Sequence, residues 1–220
     1  MDRSLKALAA LLTYPGDEVL AALPEIRAAL EADRRLPARS RKALAALCGE
    51  LGGRDPLEAQ ERYVELFDRG RSTCLNLFEH VHGDSRDRGP AMVDLKATYA
   101  RAGLALAGRE LPDFLPALLE FLSLQPRKAA RETLRDAAHV VRRIGEALAA
   151  QDSAYAAVPA AILAWAGERG LAPRAAPPRD KPLDLEWAEE PVTFGPPAAP
   201  ATSVIRFMPR PGTVEPGAAR

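Results

Sequence analysis

The sequence is poor in cysteine and in aromatic residues, and each shortage excludes a class of protein. Its two cysteines, Cys48 and Cys74, lie far apart without a Cys-x-x-Cys spacing, which argues against a disulfide framework and a zinc ribbon. Aromatic residues make up 5% of the chain although hydrophobic residues make up 47%. Because alanine and leucine supply most of the apolar mass, helices are favoured over sheets. We expect both cysteines to be buried thiols in a reducing cytosol.

The chain also lacks an excess of either charge. Thirty basic residues balance thirty acidic ones, and the two signs are interleaved in stretches such as EIRAALEADRR. Interleaved charges are typical of solvated helix faces, whereas a nucleic-acid binder carries a basic surface. We therefore expect no nucleic-acid partner.

Long apolar runs and nucleotide-binding motifs are missing as well. The first residues, MDRSLKALAALLTYPGDE, carry charges, do not resemble a signal peptide and include too short an apolar run to cross a bilayer. The sequence contains neither GxxxxGK[ST] nor GxSxG, which are typical of nucleotide-binding proteins and serine hydrolases. We expect a cytoplasmic protein without an integral membrane segment, and no motif indicates an enzyme.

What the sequence does contain is helical periodicity. Apolar residues recur at helical spacing through residues 1–170, and no stretch alternates as a strand would. The run from Asp55 to Glu58 provides a helix cap, a first-turn proline and an acid, and Tyr63, Leu66 and Phe67 then line the inner face of that helix. Residues 111–124 are apolar on every side, which predicts a buried central helix. The sequence therefore predicts an all-α domain, a single bundle of about seven to nine helices over residues 1–170.

The last fifty residues have a different composition. Eleven of the twenty prolines lie in residues 171–220, which predicts a Pro-rich, mostly disordered tail. Within it, LDLEWAEEPVTF at residues 183–194 carries the only tryptophan of the tail. This segment is a candidate to dock on the helical bundle.

Histidines and charged residues are concentrated in FEHVHGDSRDRGPAMVDL, residues 78–95. His80 and His82 are two residues apart, so on a helix their side chains point about 200° apart and one metal ion cannot bind both. We expect no metal site, and one buried, hydrogen-bonded histidine beside one exposed histidine. A metal- or nucleotide-dependent enzyme built around Glu79, His80 and Asp84 is the rival hypothesis.

The loop GDSRDRG within this stretch has three interpretations. Its carboxylates and arginines suit acid–base or phosphate chemistry, and they also suit a surface that binds a partner. They equally suit an architectural elbow, because Gly83 can end one helix and Gly89-Pro90 can restart the chain. Residue chemistry alone favours the elbow, with surface binding second.

Two interpretations are open for the segment ELPDFLPALLEFL, residues 110–122. In one, it is a core helix whose first turn holds two prolines and an acid that the helix dipole favours. In the other, Pro112 and Pro116 leave carbonyl groups free and stiffen a hinge, which lets neighbouring helices part into an apolar groove.

The longest informative run is ERYVELFDRGRSTCLNLFEHVHGDSRDRGPAMVDLKATYARAGL, followed by RELPDFLPALLEFL. It resembles the redox-enzyme maturation chaperones of the TorD/DmsD-like family, and within them the nitrate reductase molybdenum-cofactor assembly branch (NarJ type). The resemblance is dense from about residue 55 to about residue 125 and looser through the N-terminal helices. DLEWAEEPVTF in the tail is similar to a late stretch of the same branch.

The resemblance implies an all-helical, non-catalytic chaperone. Such a protein binds the N-terminal segment of the nitrate reductase catalytic (alpha) subunit in the cytoplasm. It keeps that subunit competent for insertion of bis-molybdopterin guanine dinucleotide before membrane attachment, and we expect it to bind no cofactor stably itself. Cofactor-biosynthesis proteins are further candidate partners. The alternatives are a chaperone for another molybdoenzyme of the superfamily, and a helical regulatory or scaffold protein without a cofactor role.

The resemblance also implies where the partner binds. A YxxLF-like turn falls on Tyr63, Leu66 and Phe67. The hinge pattern falls on Glu110, Pro112 and Asp113, and Phe114 stands where the TorD and DmsD branches carry a histidine. We expect the apolar face of a peptide on Leu115, Leu119 and Phe121, with its register set by Asp84, Arg86 and Arg88. The predicted partner-binding set is Tyr63, Phe67, His80, Asp84, Arg86, Arg88, Met92, Glu110, Asp113, Leu115, Leu119 and Phe121, with Pro112 and Pro116 as the hinge.

Overall fold

A computed structural model describes residues 1–83, 85–106 and 110–171. Within these ranges the chain forms ten α-helices and no strand, so the all-α prediction is confirmed. The helices are α1 (Arg3–Leu11), α2 (Asp17–Ala32), α3 (Ala38–Gly53), α4 (Pro56–Tyr63), α5 (Leu77–His82), α6 (Arg88–Arg101), α7 (Leu115–Ser123), α8 (Arg127–Asp136), α9 (Ala138–Ala149) and α10 (Ala157–Ala166). A π-helical turn (Val64–Asp68) follows α4, and a 3-10 turn (Ala154–Ala156) precedes α10.

The helix count exceeds the predicted range by one for a local reason. The spacing of Leu134, Ala138, Val141, Ile144 and Leu148 predicts one long amphipathic helix. The structure has α8 and α9 there, separated only by Ala137. Counted as one interrupted helix, this pair brings the total for the described residues to nine. A proline within a helical pattern predicts a kink or a new helix start. Pro24 lies inside the continuous α2, so it does not start a new helix.

Local chemistry explains several helix ends. The carboxylate of Asp2 accepts hydrogen bonds from the amides of Ser4 and Leu5 at 3.1 and 3.2 Å. As predicted, Asp55 caps α4, and its carboxylate accepts a hydrogen bond from the amide of Leu57 at 2.9 Å. These bonds satisfy amides that a helix start otherwise leaves unpaired. Asp17 is a residue type that can cap a helix, but it is the first helical residue of α2, and Gly16 holds the cap position without a side-chain bond.

The core centres on α1, α7 and α10. Leu5, Leu8 and Leu12 are each 0% exposed, and α1 packs against α2, α7 and α10. In α7 only Glu120 is exposed, so the prediction of a buried central helix is confirmed. That helix begins at Leu115 rather than at Leu111.

Helices α5 and α6 contribute much less to the core. Each has one buried residue, Leu77 in α5 and Tyr99 in α6. Val81 of α5 and Val93 of α6 are 51% and 67% exposed. This part of the bundle therefore derives less stability from apolar burial than α1 does.

Some predictions fall on positions that the structure does not describe. Asp84 and the tail from residue 172 onward, including the docking segment 183–194, lie outside the described residues. Among the described helices, none combines the length and the apolar character that crossing a bilayer requires.

Candidate partner-binding site

The segment of residues 74–83, here called the elbow, is joined to residues 111–115 by backbone hydrogen bonds. Leu77 N donates to the carbonyl of Asp113 at 3.0 Å, and Leu115 N donates to the carbonyl of Leu75 at 2.9 Å. Asn76 and Phe114 form an isolated antiparallel bridge between them. The elbow, which leads into the loop GDSRDRG, and the hinge predicted from ELPDFLP are therefore in direct contact.

Asp113 makes a third connection between these segments. Its side chain is 0% exposed, and Oδ2 accepts a hydrogen bond from the amide of Phe78 at 2.9 Å, in the first turn of α5. Burial raises the pKa of the Asp113 carboxyl, the Phe78 amide and the charge of Arg88 oppose that rise, and Glu79 adds to it. Asp113 was predicted to contact a peptide, but in this conformation it lies in the interior and contacts the elbow.

The elbow also has its own internal bonds. His80 Nε2 lies 2.8 Å from the carbonyl oxygen of Cys74, and the Cys74 thiol donates to Glu79 Oε2 at 3.2 Å. Burial raises the pKa of Cys74 to about 11, so the thiol is protonated at neutral pH. Cys48 is buried as expected, whereas Cys74 is half-buried. His80 and His82 are both half-buried, which differs from the expected division into one buried and one exposed histidine.

The elbow and the described residues of the loop GDSRDRG contain no metal-like cluster. Across residues 1–83, 85–106 and 110–171, no three His, Cys, Asp or Glu side chains are grouped so that they could hold a metal ion. Arg88 pairs with Glu79 at 4.0 Å, and Ser85 Oγ accepts from Asp87 N at 3.2 Å. These contacts connect the polar side chains to one another and to the chain.

Tyr99 is the main contact between α6 and the start of α7. Its hydroxyl donates to the carbonyl of Pro112 at 2.7 Å, and its ring lies 4.6 Å from the ring of Phe121. Burial raises the pKa of Tyr99, so the hydroxyl keeps its proton. Both interpretations of this segment placed two prolines in one helical turn, and one of them left carbonyl groups free. Instead Pro112 precedes the helix, its carbonyl is bonded, and Pro116 alone lies in the first turn.

Tyr63 and Phe67 lie in the interior, in an aromatic cluster with Tyr14 and Tyr155. Both are 4% exposed, as the helical periodicity indicated. The hydroxyl of Tyr63 donates to the carbonyl of Leu12 at 2.9 Å, at the end of α1. The π-helical turn that contains Phe67 is fixed by Thr73, whose hydroxyl donates to the carbonyl of Leu66.

The predicted partner-binding set is thus divided between the surface and the interior. Arg86 and Glu110 are exposed, and His80, Arg88, Met92 and Phe121 are half-buried. Leu115 and Leu119 are 0% exposed, because they pack in the core. Contact of a peptide with these two leucines remains a prediction, and it requires a neighbouring helix to move.

An open apolar groove lies elsewhere, between α1 and α2, and sequence reasoning missed it. The groove has a volume of about 760 Å³ and is lined largely by small side chains, among them Ala7, Ala10, Ala22 and Ala29. Its α1 wall carries Arg3 and Lys6, and its α2 wall carries Glu18 and Glu25. The available signal was alanine at helical spacing (7 and 10, 22 and 29), which leaves a depression where leucine would fill the space.

Comparison with known proteins identifies the family. The family model described as nitrate reductase delta subunit matches residues 33–161, more than half of the chain. The chain is 42% identical over 192 residues to the nitrate reductase molybdenum cofactor assembly chaperone NarJ of Escherichia coli (strain K12), covering 84% of this chain and 81% of that protein. It is 39% identical over 198 residues to the probable nitrate reductase molybdenum cofactor assembly chaperone NarW of the same strain, covering 86% and 83%. For the probable chaperone NarJ of Bacillus subtilis (strain 168) the identity is 32% over 163 residues, covering 73% and 86%. The resemblance noted in the sequence is therefore confirmed, and the chain belongs to the nitrate reductase delta subunit family.

Proposed function

We propose that this protein is a non-catalytic cytoplasmic chaperone for nitrate reductase assembly. It binds the N-terminal segment of the catalytic alpha subunit and keeps that subunit competent until bis-molybdopterin guanine dinucleotide is inserted, before membrane attachment. Cofactor-biosynthesis proteins are proposed as further partners at the insertion step. Family membership and the names of the relatives support the assembly role.

The observation that carries the binding proposal is the groove between α1 and α2. It is open, apolar and about 760 Å³ in volume, and no helix has to move before it can accept a guest. A helical guest segment can insert bulky apolar side chains into a groove lined by alanines, which is a common mode of peptide recognition. Micromolar affinity requires only about 8 kcal/mol net, which a few well-buried anchor residues can supply.

The charges along the groove select the kind of guest. Arg3 and Lys6 line one wall, while Glu18 and Glu25 line the other. An amphipathic segment with acidic residues along one flank and basic residues along the other therefore matches both walls, and the reverse orientation places like charges together. The stretch that follows the elbow, with Arg86, Arg88 and Met92, is the second proposed contact surface and is here called the elbow rim.

Isothermal titration calorimetry with a synthetic N-terminal peptide of the alpha subunit separates these surfaces. Ala22→Arg places a long side chain in the groove, and we expect affinity to fall at least about tenfold because anchor side chains lose their space. Ala21→Arg is the matched control, since Ala21 is an exposed neighbour on the same helix outside the groove lining. It should leave affinity unchanged.

Met92→Asp tests the elbow rim in the same assay, because Met92 is half-buried and can be changed without emptying the core. Loss of binding in Met92→Asp with no loss in Ala22→Arg moves the binding site to the elbow. Full affinity in both variants contradicts both surfaces.

The assembly role itself is tested by copurifying the alpha subunit and measuring its molybdenum content with and without the chaperone. Equal content contradicts the role.

A further inference from the structure

The elbow is attached to the start of α7 by a small number of bonds. Two are backbone hydrogen bonds, from Leu77 N to the carbonyl of Asp113 and from Leu115 N to the carbonyl of Leu75. The third runs from Phe78 N to the Asp113 carboxylate. Fully buried apolar side chains are confined to two elbow residues, Leu75 and Leu77, which are 2% and 5% exposed. The free energy of Asp113 in its buried position therefore has a large influence on whether the elbow stays closed.

Asp113 is incompletely hydrogen-bonded for a buried carboxylate. Its Oδ2 accepts one bond, and its Oδ1 has no partner among the described residues. An ionised carboxylate can accept about four hydrogen bonds, and buried groups without partners oppose burial. Closing the elbow therefore forms a bond at Oδ2 but removes Oδ1 from water.

The neighbouring groups do not neutralise this charge fully. On α6, Arg88 favours the ionised form, but its ion pair is with Glu79, at 4.0 Å. On α5, Glu79 itself disfavours ionisation of Asp113. Cys74 of the elbow and Tyr99 of α6 both have raised pKa values, so neither carries charge at neutral pH.

We propose that Asp113 is a latch residue. It holds the elbow against residues 111–115 through the Phe78 amide, and its half-satisfied carboxylate keeps the closed elbow close in free energy to an open one. In the open form the carboxylate regains water, and Leu75, Leu77 and Leu115 lose the backbone bonds that join the two segments. These three leucines are 2%, 5% and 0% exposed when the elbow is closed. The opening therefore creates a second apolar surface that is absent from the closed protein.

The pH dependence follows from the sign of the shift. Burial raises the pKa of Asp113 above its ordinary value, so the closed elbow binds a proton more readily than an open one. Closure is favoured below the ordinary pKa and weakens as the pH rises through the raised pKa. Lowering the pH should therefore close the elbow, and raising the pH should loosen it.

Hydrogen exchange of backbone amides in the full chain tests the latch. Asp113→Asn keeps an acceptor for the Phe78 amide but removes the charge. We expect the amides of Leu77, Phe78 and Leu115 to be protected roughly tenfold more than in the wild type at neutral pH. Their protection factors should also lose the dependence on pH that the wild type shows, since the wild type should lose protection as the pH rises through the raised pKa of Asp113.

The amides of α9 distinguish a local latch from global unfolding. The latch requires that the elbow amides of the wild type exchange with a lower opening free energy than the amides of α9. Equal opening free energies in the elbow and in α9 overturn the proposal, because the elbow then opens only when the whole protein unfolds. Unchanged elbow protection in Asp113→Asn at neutral pH overturns it as well. Neither result depends on which client the protein binds, so the latch and the chaperone role succeed or fail separately.

Discussion

Asp33 and Asp113 are both buried carboxylates, and their surroundings are opposite. Asp33 is 9% exposed and accepts hydrogen bonds from Ser4 Oγ at 2.6 Å and from two nitrogens of Arg35 at 2.6 and 2.7 Å. The side chain of Asp113 accepts one hydrogen bond, from the backbone amide of Phe78 at 2.9 Å. Burial opposes ionisation of Asp33, but the bonds from Arg35 and Ser4 outweigh it and lower its pKa to about 2. At Asp113 burial prevails and raises the pKa.

The two aspartates mark two regions that differ in how firmly they are held. Asp33 follows α2 and bonds to α1, the helix whose leucines are fully buried. Asp113 joins the elbow to α7, in a region where α5 and α6 bury one residue each. Dense apolar packing and complete hydrogen bonding occur together in the first region, and both are reduced in the second. Regions with few buried contacts are those that open locally.

Deleting apolar contacts should have the largest effect, and it should differ sharply between the regions. Leu8→Ala removes a side chain that is 0% exposed, and we expect the free energy of unfolding to fall by about 3–5 kcal/mol. Val93 of α6 is 67% exposed, so Val93→Ala should change it by less than about 0.5 kcal/mol. Urea denaturation followed by circular dichroism measures both. Similar losses in the two variants contradict the division into a firm and a loose region.

Helix ends determined by neighbouring residues could be predicted from sequence. Asp55 caps α4, and Gly83 ends α5 with a φ of 51°, because a cap or a positive φ depends on chemistry within a few residues. The start of α7 could not be predicted in this way. Leu115 becomes the first helical residue where Phe114 pairs with Asn76, and periodicity carries no information about a pairing so distant in sequence.

The candidate site was harder to predict than the fold for the same reason. Asp113 lies in the interior, where its carboxylate accepts a hydrogen bond from the Phe78 amide, 35 residues earlier. The sequence pattern does not reveal so distant a bond, so an acidic residue beside a proline was interpreted as a surface contact. Helical spacing placed Tyr63 and Phe67 on an inner face, and both are buried. The α1–α2 groove arises from small residues on two helices that meet only in the folded chain.

Removing the charge of Asp33 should have the next largest effect. Asp33→Asn loses the ionic part of its bonds to Arg35, and we expect a loss of roughly 2 kcal/mol in unfolding free energy at neutral pH. The pKa of Asp33 is lowered from 3.8 to about 2, so the carboxylate stabilises the fold above pH 3.8 and loses that contribution as the pH falls towards 2. The difference between wild type and variant should therefore be constant from neutral pH to about 4 and shrink below it.

Denaturant titrations at a series of pH values measure this difference. If the difference in unfolding free energy between the wild type and Asp33→Asn already narrows near neutral pH, the pKa of the Asp33 carboxyl is not lowered. Asp113→Asn is the natural contrast, because its effect should have the opposite sign at neutral pH. If both substitutions destabilise the protein by the same amount, the two carboxylates are equivalent and the comparison is wrong.

The smallest expected effect comes from removing one buried tyrosine hydroxyl in each region, and the two losses should differ in which amides exchange faster. Tyr99→Phe and Tyr63→Phe each remove one buried hydroxyl that donates to a carbonyl, of Pro112 at 2.7 Å and of Leu12 at 2.9 Å. Burial raises the pKa of both tyrosines, so both are neutral donors and each loss should cost about 1 kcal/mol.

The Tyr63 bond lies in the aromatic cluster and at the end of α1, so its loss should lower the global free energy of unfolding. The Tyr99 bond holds α6 on the start of α7, where local opening precedes global unfolding. Tyr99→Phe should therefore speed hydrogen exchange in α6 about fivefold. Because the phenylalanine ring preserves the contact with Phe121, this change isolates the hydroxyl. Tyr63→Phe should speed exchange of the slowest amides in α9 and α10 but leave exchange in α6 unchanged, since local opening of α6 keeps the Tyr63 bond intact. If Tyr63→Phe speeds exchange in α6 by the same factor, α6 unfolds only with the rest of the protein.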